Sequence, residues 1–241
     1  MYRENKKSLN AFVGCNFDCV YCRPSFQRLL KRQPCDLCKS YSPHLHWNRL
    51  DKKSPKTSGD EFVFFPSTGD PSFASFQELH RLLQYVANNS QTKFLMQTKN
   101  PRMFIDYMLK LGFVKSIDVF PKNLLIGTTL ESDITFFDTK SKYTRYPEIS
   151  KAPSNAYRAF HMVNIKHPKI VTVEPILDFN SERFEIWIRQ INPKIVYIGY
   201  DNHQCLLPEP PLEKTLQFIE ELKKFTEVRL KTIRKAWFED V

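Results

Sequence analysis

Cys15, Cys19 and Cys22 stand in the order C-x-x-x-C-x-x-C, directly after the apolar stretch Leu9-Asn10-Ala11-Phe12-Val13-Gly14. A loop this short can wrap three thiolates around one corner of a cubane iron–sulfur cluster. Electron-transfer clusters normally have all four irons capped by cysteine, as in the tighter C-x-x-C-x-x-C of ferredoxins. Three ligands leave one iron open to a small molecule. A zinc knuckle and three unrelated buried thiols are the competing readings of the same residues.

The apolar stretch Leu9 to Val13 reads as a strand, so the cysteines follow a strand end. Similar runs recur at Glu61 to Phe65, Lys93 to Gln97, Leu124 to Thr128, Ile170 to Val173, Ile195 to Ile198 and Val228 to Thr232. They are short, rich in β-branched or aromatic residues, and bounded by Gly, Pro, Asn or Lys. Helical patterns lie between them at Phe73 to Asn88, Pro101 to Leu111, Ser154 to His167, Ser181 to Ile191 and Leu212 to Phe225. Pro101 and Pro153 suit first-turn positions and Ser181 suits an N-cap. Repeated strand–helix units predict a parallel sheet with right-handed crossovers. Six or seven units fall short of eight, so the expected fold is α/β, a partial (β/α)6-7 TIM-like barrel. At 241 residues the chain fits one such domain, spanning 1–241.

One stretch fits the alternation poorly. Residues 23–60, Pro- and Lys-rich, read as a cysteine-rich insertion after the cysteine loop. It holds Cys35-Asp36-Leu37-Cys38 and then His44-Leu45-His46. C-x-x-C is a common metal spacing, and Cys35, Cys38, His44 and His46 together supply a Cys2His2 set for zinc. A second iron–sulfur cluster, completed by Cys205, and a redox pair are the other readings. Met1-Tyr2-Arg3-Glu4-Asn5-Lys6-Lys7 lacks the apolar core of a signal peptide, and no apolar run reaches membrane-spanning length. The expected location is therefore the cytoplasm, where clustered cysteines bind metals more than they pair.

Polar residues gather after the strands, where barrel enzymes carry their chemistry. They are Ser67-Thr68-Gly69-Asp70-Pro71, Gln97-Thr98-Lys99-Asn100-Pro101, Gly127-Thr128-Thr129-Leu130-Glu131 and Val173-Glu174-Pro175. Together with Gly14-Cys15-Asn16-Phe17-Asp18-Cys19-Val20-Tyr21-Cys22, these segments resemble the radical SAM superfamily, in particular a branch of small proteins from phages and prokaryotes. The resemblance covers the chain from about Leu9 to Asn202, and the cysteine loop is its most specific part. It implies a [4Fe-4S] cluster on Cys15, Cys19 and Cys22 whose open iron chelates S-adenosylmethionine. Reductive cleavage then gives a 5'-deoxyadenosyl radical that takes hydrogen from substrate. It further implies that Tyr21 lies against the adenine and that Thr68, Gly69 and Asp70 line the methionine end. Here the family carries a Gly-Gly-Glu-like turn, so Thr68 and Asp70 are departures. Lys99 is placed to meet a carboxylate, Thr129 and Glu131 the ribose hydroxyls. Glu174 is an ionisable group near the barrel mouth.

The resemblance does not fix the substrate, and no catalytic residue is assigned. The net charge of +10 creates a field that attracts nucleic acid or another anion, and it is equally that of a solvated basic surface. Phe26, Trp47, Phe64, Phe65, Phe136 and Phe137 can stack bases or fill the core. The expected partners are a reductant such as a flavodoxin or ferredoxin and a nucleic-acid, nucleotide or other anionic substrate, with no membrane. The alternative is a non-catalytic iron–sulfur or zinc-binding module that binds nucleic acid.

Overall fold

The computed structural model describes residues 2–113 and 119–239, and among these residues it has nine strands. They are β1 (Asn5–Ser8), β2 (Phe12–Val13), β3 (His44–Leu45), β4 (Phe62–Phe64), β5 (Phe94–Thr98), β6 (Leu124–Thr129), β7 (Lys169–Val173), β8 (Ile195–Ile198) and β9 (Glu227–Leu230). Seven form one sheet in the order β1-β4-β5-β6-β7-β8-β9, while β2 and β3 pair separately. The main-sheet pairs β1–β4, β4–β5, β7–β8 and β8–β9 are parallel.

Two compact units share the chain. The first comprises Met1–Asn16, Ser25–Gly127 and Ile165–Pro168. Its helices are α1 (Arg28–Leu30), α2 (Asp36–Lys39), α3 (Phe76–Asn88) and α4 (Arg102–Lys110). α3 starts at a capping box in which Ser75 and Glu78 bond each other's backbone, satisfying two otherwise orphaned N–H donors. Its buried face is Leu79, Leu82, Leu83 and Val86, each worth about 1.5–3 kcal/mol of apolar burial. Phe62, Val63, Phe65, Phe94 and Leu95 of the sheet region are likewise buried, as a parallel sheet covered on both faces requires.

The second unit comprises Phe17–Pro24, Thr128–Asn164 and Lys169–Val241. Its helices are α5 (Tyr146–Ile149), α6 (Asn155–Val163), α7 (Ser181–Ile191) and α8 (Leu212–Lys223). All five residues of β7 are buried. Phe179, Phe184 and Phe218 meet with centroids 4.6–5.6 Å apart, which joins α7 to α8.

Some expectations shift. The apolar run Leu9 to Val13 is not a main-sheet strand; only Phe12–Val13 is extended, and it pairs with β3. The sheet begins instead at Asn5-Lys6-Lys7-Ser8, an end strand in the sheet order and so free to be polar. The N-cap of α7 is Asn180, whose side chain accepts from the Arg183 N–H, with Ser181 inside the helix. Ser154 caps α6, so Pro153 stands before the helix and not in its first turn.

Candidate functional site

In the first unit, Gly14 is the point on which the cysteine loop turns. Its φ of +95° lies in the region that favours glycine. A Cβ there would stand 2.3 Å from the Ser42 carbonyl oxygen and 2.6 Å from the Pro43 nitrogen. On its other side, Gly14 N–H donates to Thr68 O (3.2 Å), and Asp70 N–H donates to Gly14 O (3.1 Å). Gly69 admits this approach, since a Cβ on it would stand 2.9 Å from the Gly14 nitrogen. The glycine before Cys15 is thus clasped between the Ser42-Pro43 backbone and the Thr68-Gly69-Asp70 turn.

That turn is organised from within the same unit. Asn10 Oδ1 accepts from the Ser67 N–H (2.9 Å), the Ser67 hydroxyl (2.9 Å) and the Thr68 N–H (3.1 Å). The buried Asp70 carboxylate accepts from Ser72 N–H (2.9 Å), the Thr98 hydroxyl (2.6 Å) and Lys99 N–H (2.8 Å). Asp70 therefore fastens the turn after β4 to the end of β5. Thr68 Oγ1 is buried and has no hydrogen-bond partner among the described residues.

The second unit holds Cys19, Tyr21 and Cys22, with Val20–Cys22 forming one 3-10 turn. Cys19 is buried, and its sulfur lies 3.0 Å from Ser150 Oγ. The Tyr21 hydroxyl donates to the Glu131 carboxylate. Glu131, fully buried, also accepts from the Tyr146 hydroxyl (3.1 Å) and pairs with Arg158 Nη1 at 2.9 Å. Arg158 is equally buried and donates to Thr129 O (2.5 Å), Pro153 O (2.8 Å) and the Tyr146 hydroxyl. Burial opposes the Arg158 charge most strongly, but the Glu131 carboxylate together with Tyr146 and Tyr21 outweighs it and raises its pKa. Burial, then Cys19 and Glu131, push the Tyr21 hydroxyl well above the ordinary tyrosine range, so it stays a donor. Glu174 pairs with Lys231. The Cys205 sulfur is 4.0 Å from Val20 O, and burial, helped by Asp201, lifts its thiol pKa to about 12.

The insertion brings four donor atoms close together. Cys35, Cys38, His44 and His46 each offer one ligand atom within 4.8 Å of the others. His44 Nε2 lies 3.5 Å from the Cys35 sulfur, 3.5 Å from the Cys38 sulfur and 2.9 Å from His46 Nε2. His46 Nε2 lies 3.1 Å from the Cys38 sulfur. Tetrahedral zinc bonds of about 2.0–2.3 Å place ligand atoms roughly 3.3–3.8 Å apart, so this set approaches a zinc shell. His44 Nδ1 donates to Ser42 O (2.7 Å), leaving the Nε2 lone pair facing the other donors. Burial, then Arg49 and His44, lower the His46 pKa to about 4 and keep the ring neutral. Backbone N–H groups of the C-x-x-C turn, Cys38 first, lower the Cys35 thiol pKa, whereas burial raises that of Cys38.

Sequence reasoning had not marked Asn10, Tyr146, Arg158 or Lys231. Asn10 was visible as the one polar residue inside an apolar run, and Arg158 as a charge on the apolar face of a helical pattern. Lys231 and Tyr146 carried no such signal. Of the aromatics, Phe65 and Phe137 are buried, whereas Trp47 and Phe136 are exposed.

No known family's profile matches the chain, and no curated protein does. Among solved structures, SuiB of Streptococcus suis, crystallised bound to precursor peptide SuiA, is similar with a TM-score of 0.56 and 9% identity. The match covers 93% of this chain and 48% of that one, so the chain spans about half the length of SuiB. This likeness shows the fold. It is α/β, a partial TIM-like barrel, the architecture that the resemblance of the cysteine loop implies.

Proposed function

We propose that the chain is a single-domain radical SAM enzyme. Cys15, Cys19 and Cys22 hold a [4Fe-4S] cluster, and S-adenosylmethionine binds at its open iron. The observation that carries this reading is the three-cysteine loop C-x-x-x-C-x-x-C in a chain with a partial barrel fold. Bound together, the two groups supply reductive cleavage to a 5'-deoxyadenosyl radical and hydrogen abstraction from a substrate.

The residues fit the cofactor in one telling respect. An unmet buried hydroxyl costs about 1–3 kcal/mol, and Thr68 Oγ1 is such an atom. A polar ligand at the Thr68-Gly69-Asp70 turn would meet it. In this reading Thr68, Gly69, Lys99, Thr129 and Glu174 contact the cofactor, with Tyr21 beside the adenine. Asp70 and Glu131 act by holding the turn and Tyr21 in place, since donors of the protein already occupy their carboxylates. The Cys35, Cys38, His44 and His46 centre binds zinc. Four donor atoms spaced for one tetrahedral ion suit zinc better than a second cluster.

The reductant is a flavodoxin or ferredoxin in the cytoplasm. No helix among the described residues is long and apolar enough to cross a membrane. The charge of +10 favours an anionic substrate such as a nucleic acid or nucleotide. A peptide is the second reading, because SuiB was crystallised with a precursor peptide. The test is anaerobic reconstitution with iron and sulfide, followed by chromatography for 5'-deoxyadenosine after reduction with S-adenosylmethionine. About four irons and four sulfides per chain with 5'-deoxyadenosine are expected. A protein that takes up zinc but no sulfide and cleaves nothing would instead be a non-catalytic metal-binding module.

A further inference from the structure

The zinc-type centre and the first cluster cysteine adjoin the two strands of one small sheet. β2 ends one residue before Gly14 and pairs antiparallel with β3, with Val13 opposite His44 and Phe12 opposite Leu45. His46 N–H donates to Ala11 O (2.7 Å), and Cys15 N–H donates to Tyr41 O (3.3 Å). Val13 packs with Cys38 and Leu30, and Cys35 and Tyr41 pack against them. The Ser42 carbonyl that would collide with a Gly14 Cβ is the one that orients His44. The Ala11 carbonyl and the Cys15 N–H are therefore met by the segment that carries the four donor atoms, which also packs against Gly14 from the side opposite the Thr68-Gly69-Asp70 turn.

Little of that segment is buried. Between Ser25 and Asp60 the buried residues are Leu30, Cys38, Leu45 and Leu50. Two strands of two residues are far below the size at which a hairpin is stable alone. Small structures of this kind are fixed by a metal, whose binding free energy becomes folding free energy.

We propose that metal bound by Cys35, Cys38, His44 and His46 positions the backbone of Gly14 and Cys15, so that cluster assembly on the cysteine loop depends on this second centre. The inference rests on the reading of Cys15 as a cluster ligand. It makes the insertion a clamp on the loop, with His44 and Cys38 as positioning residues for the Cys15 thiolate.

Zinc, iron and sulfide are measured on the full anaerobically reconstituted chain, on Cys35→Ala/His46→Ala and on Gly14→Ala, with thermal unfolding as the check of fold. The ligand variant should lose zinc, keep a cooperative melt and take up roughly ten-fold less iron, the usual penalty for losing groups that orient a metal ligand. Gly14→Ala should keep zinc and lose iron to a similar degree. Should the ligand variant not melt cooperatively, Gly14→Ala decides. The proposal is overturned if the ligand variant loses zinc but takes up iron like the parent, if it keeps its zinc, or if Gly14→Ala takes up iron normally. A parent that binds zinc but never iron and sulfide would refute the cluster reading itself, which is a different result from an unaffected variant.

Discussion

Arg158→Met removes the guanidinium that pairs with Glu131 in the buried network. Both side chains are fully buried, and their closest atoms are 2.9 Å apart. The substitution leaves a carboxylate out of water with the Tyr21 and Tyr146 hydroxyls but no guanidinium. It also strips a donor from Thr129 O and from Pro153 O. Removing one member of a buried pair costs about 3–5 kcal/mol, a large share of the roughly 5–15 kcal/mol that holds a domain folded. For a chain of this size the melting temperature should drop by about 6–20 °C. The loss should shrink as pH falls from 8 to 5. Protonation then neutralises the stranded carboxyl in the folded state, where it binds a proton more readily than in the unfolded chain, so stability declines with rising pH. Arg158→Met/Glu131→Leu, which buries no lone charge, should recover part of the loss. Urea titration and calorimetry at the two pH values read all three effects. A single variant within about 0.5 kcal/mol of the parent would refute the reasoning, because that is the range of an inconsequential surface change.

Asp70→Ala frees the three donors that the carboxylate gathers and should destabilise the protein by about 2–4 kcal/mol. It should also weaken S-adenosylmethionine binding by calorimetry while the cluster stays, and unchanged stability would show that the clasp between the two strand ends is not needed. Gly69→Ala drives a methyl group into the Gly14 and Val13 backbone and should cost about 1–3 kcal/mol with reduced iron uptake, both measurable on one preparation. Cys205, its thiol pKa raised to about 12, should be alkylated at pH 8 roughly a hundred-fold more slowly than an ordinary thiol. Peptide mapping after iodoacetamide reads that site alone, and rapid modification would contradict the burial argument.

Local pattern carried much of this structure into view. The 3.6-residue spacing of Leu79, Leu82, Leu83 and Val86 and the apolar runs of β5, β7 and β8 report directly on burial. β1 escaped notice because an end strand can be polar, and Asn5-Lys6-Lys7-Ser8 looks like any charged terminus. The site was legible by residue type and illegible by partner. Thr68, Asp70 and Glu131 stood out at strand ends, but the sequence could not say that Asp70 bonds Thr98 or that Glu131 meets Arg158. Such partners are fixed by tertiary packing between residues far apart in the chain. The C-x-x-C and H-x-H pairs were readable as donors, whereas their registration against Gly14 emerges only from the pairing of β2 with β3.

The central claim is an iron left open to S-adenosylmethionine by three cysteine ligands. Electron paramagnetic resonance of the reduced, reconstituted protein with and without S-adenosylmethionine tests it most directly. The account predicts a [4Fe-4S]+ signal whose g-values shift when S-adenosylmethionine is added, and no such signal from the Cys15→Ala/Cys19→Ala/Cys22→Ala protein. A cluster spectrum that ignores S-adenosylmethionine, or one that survives the triple substitution, would contradict it.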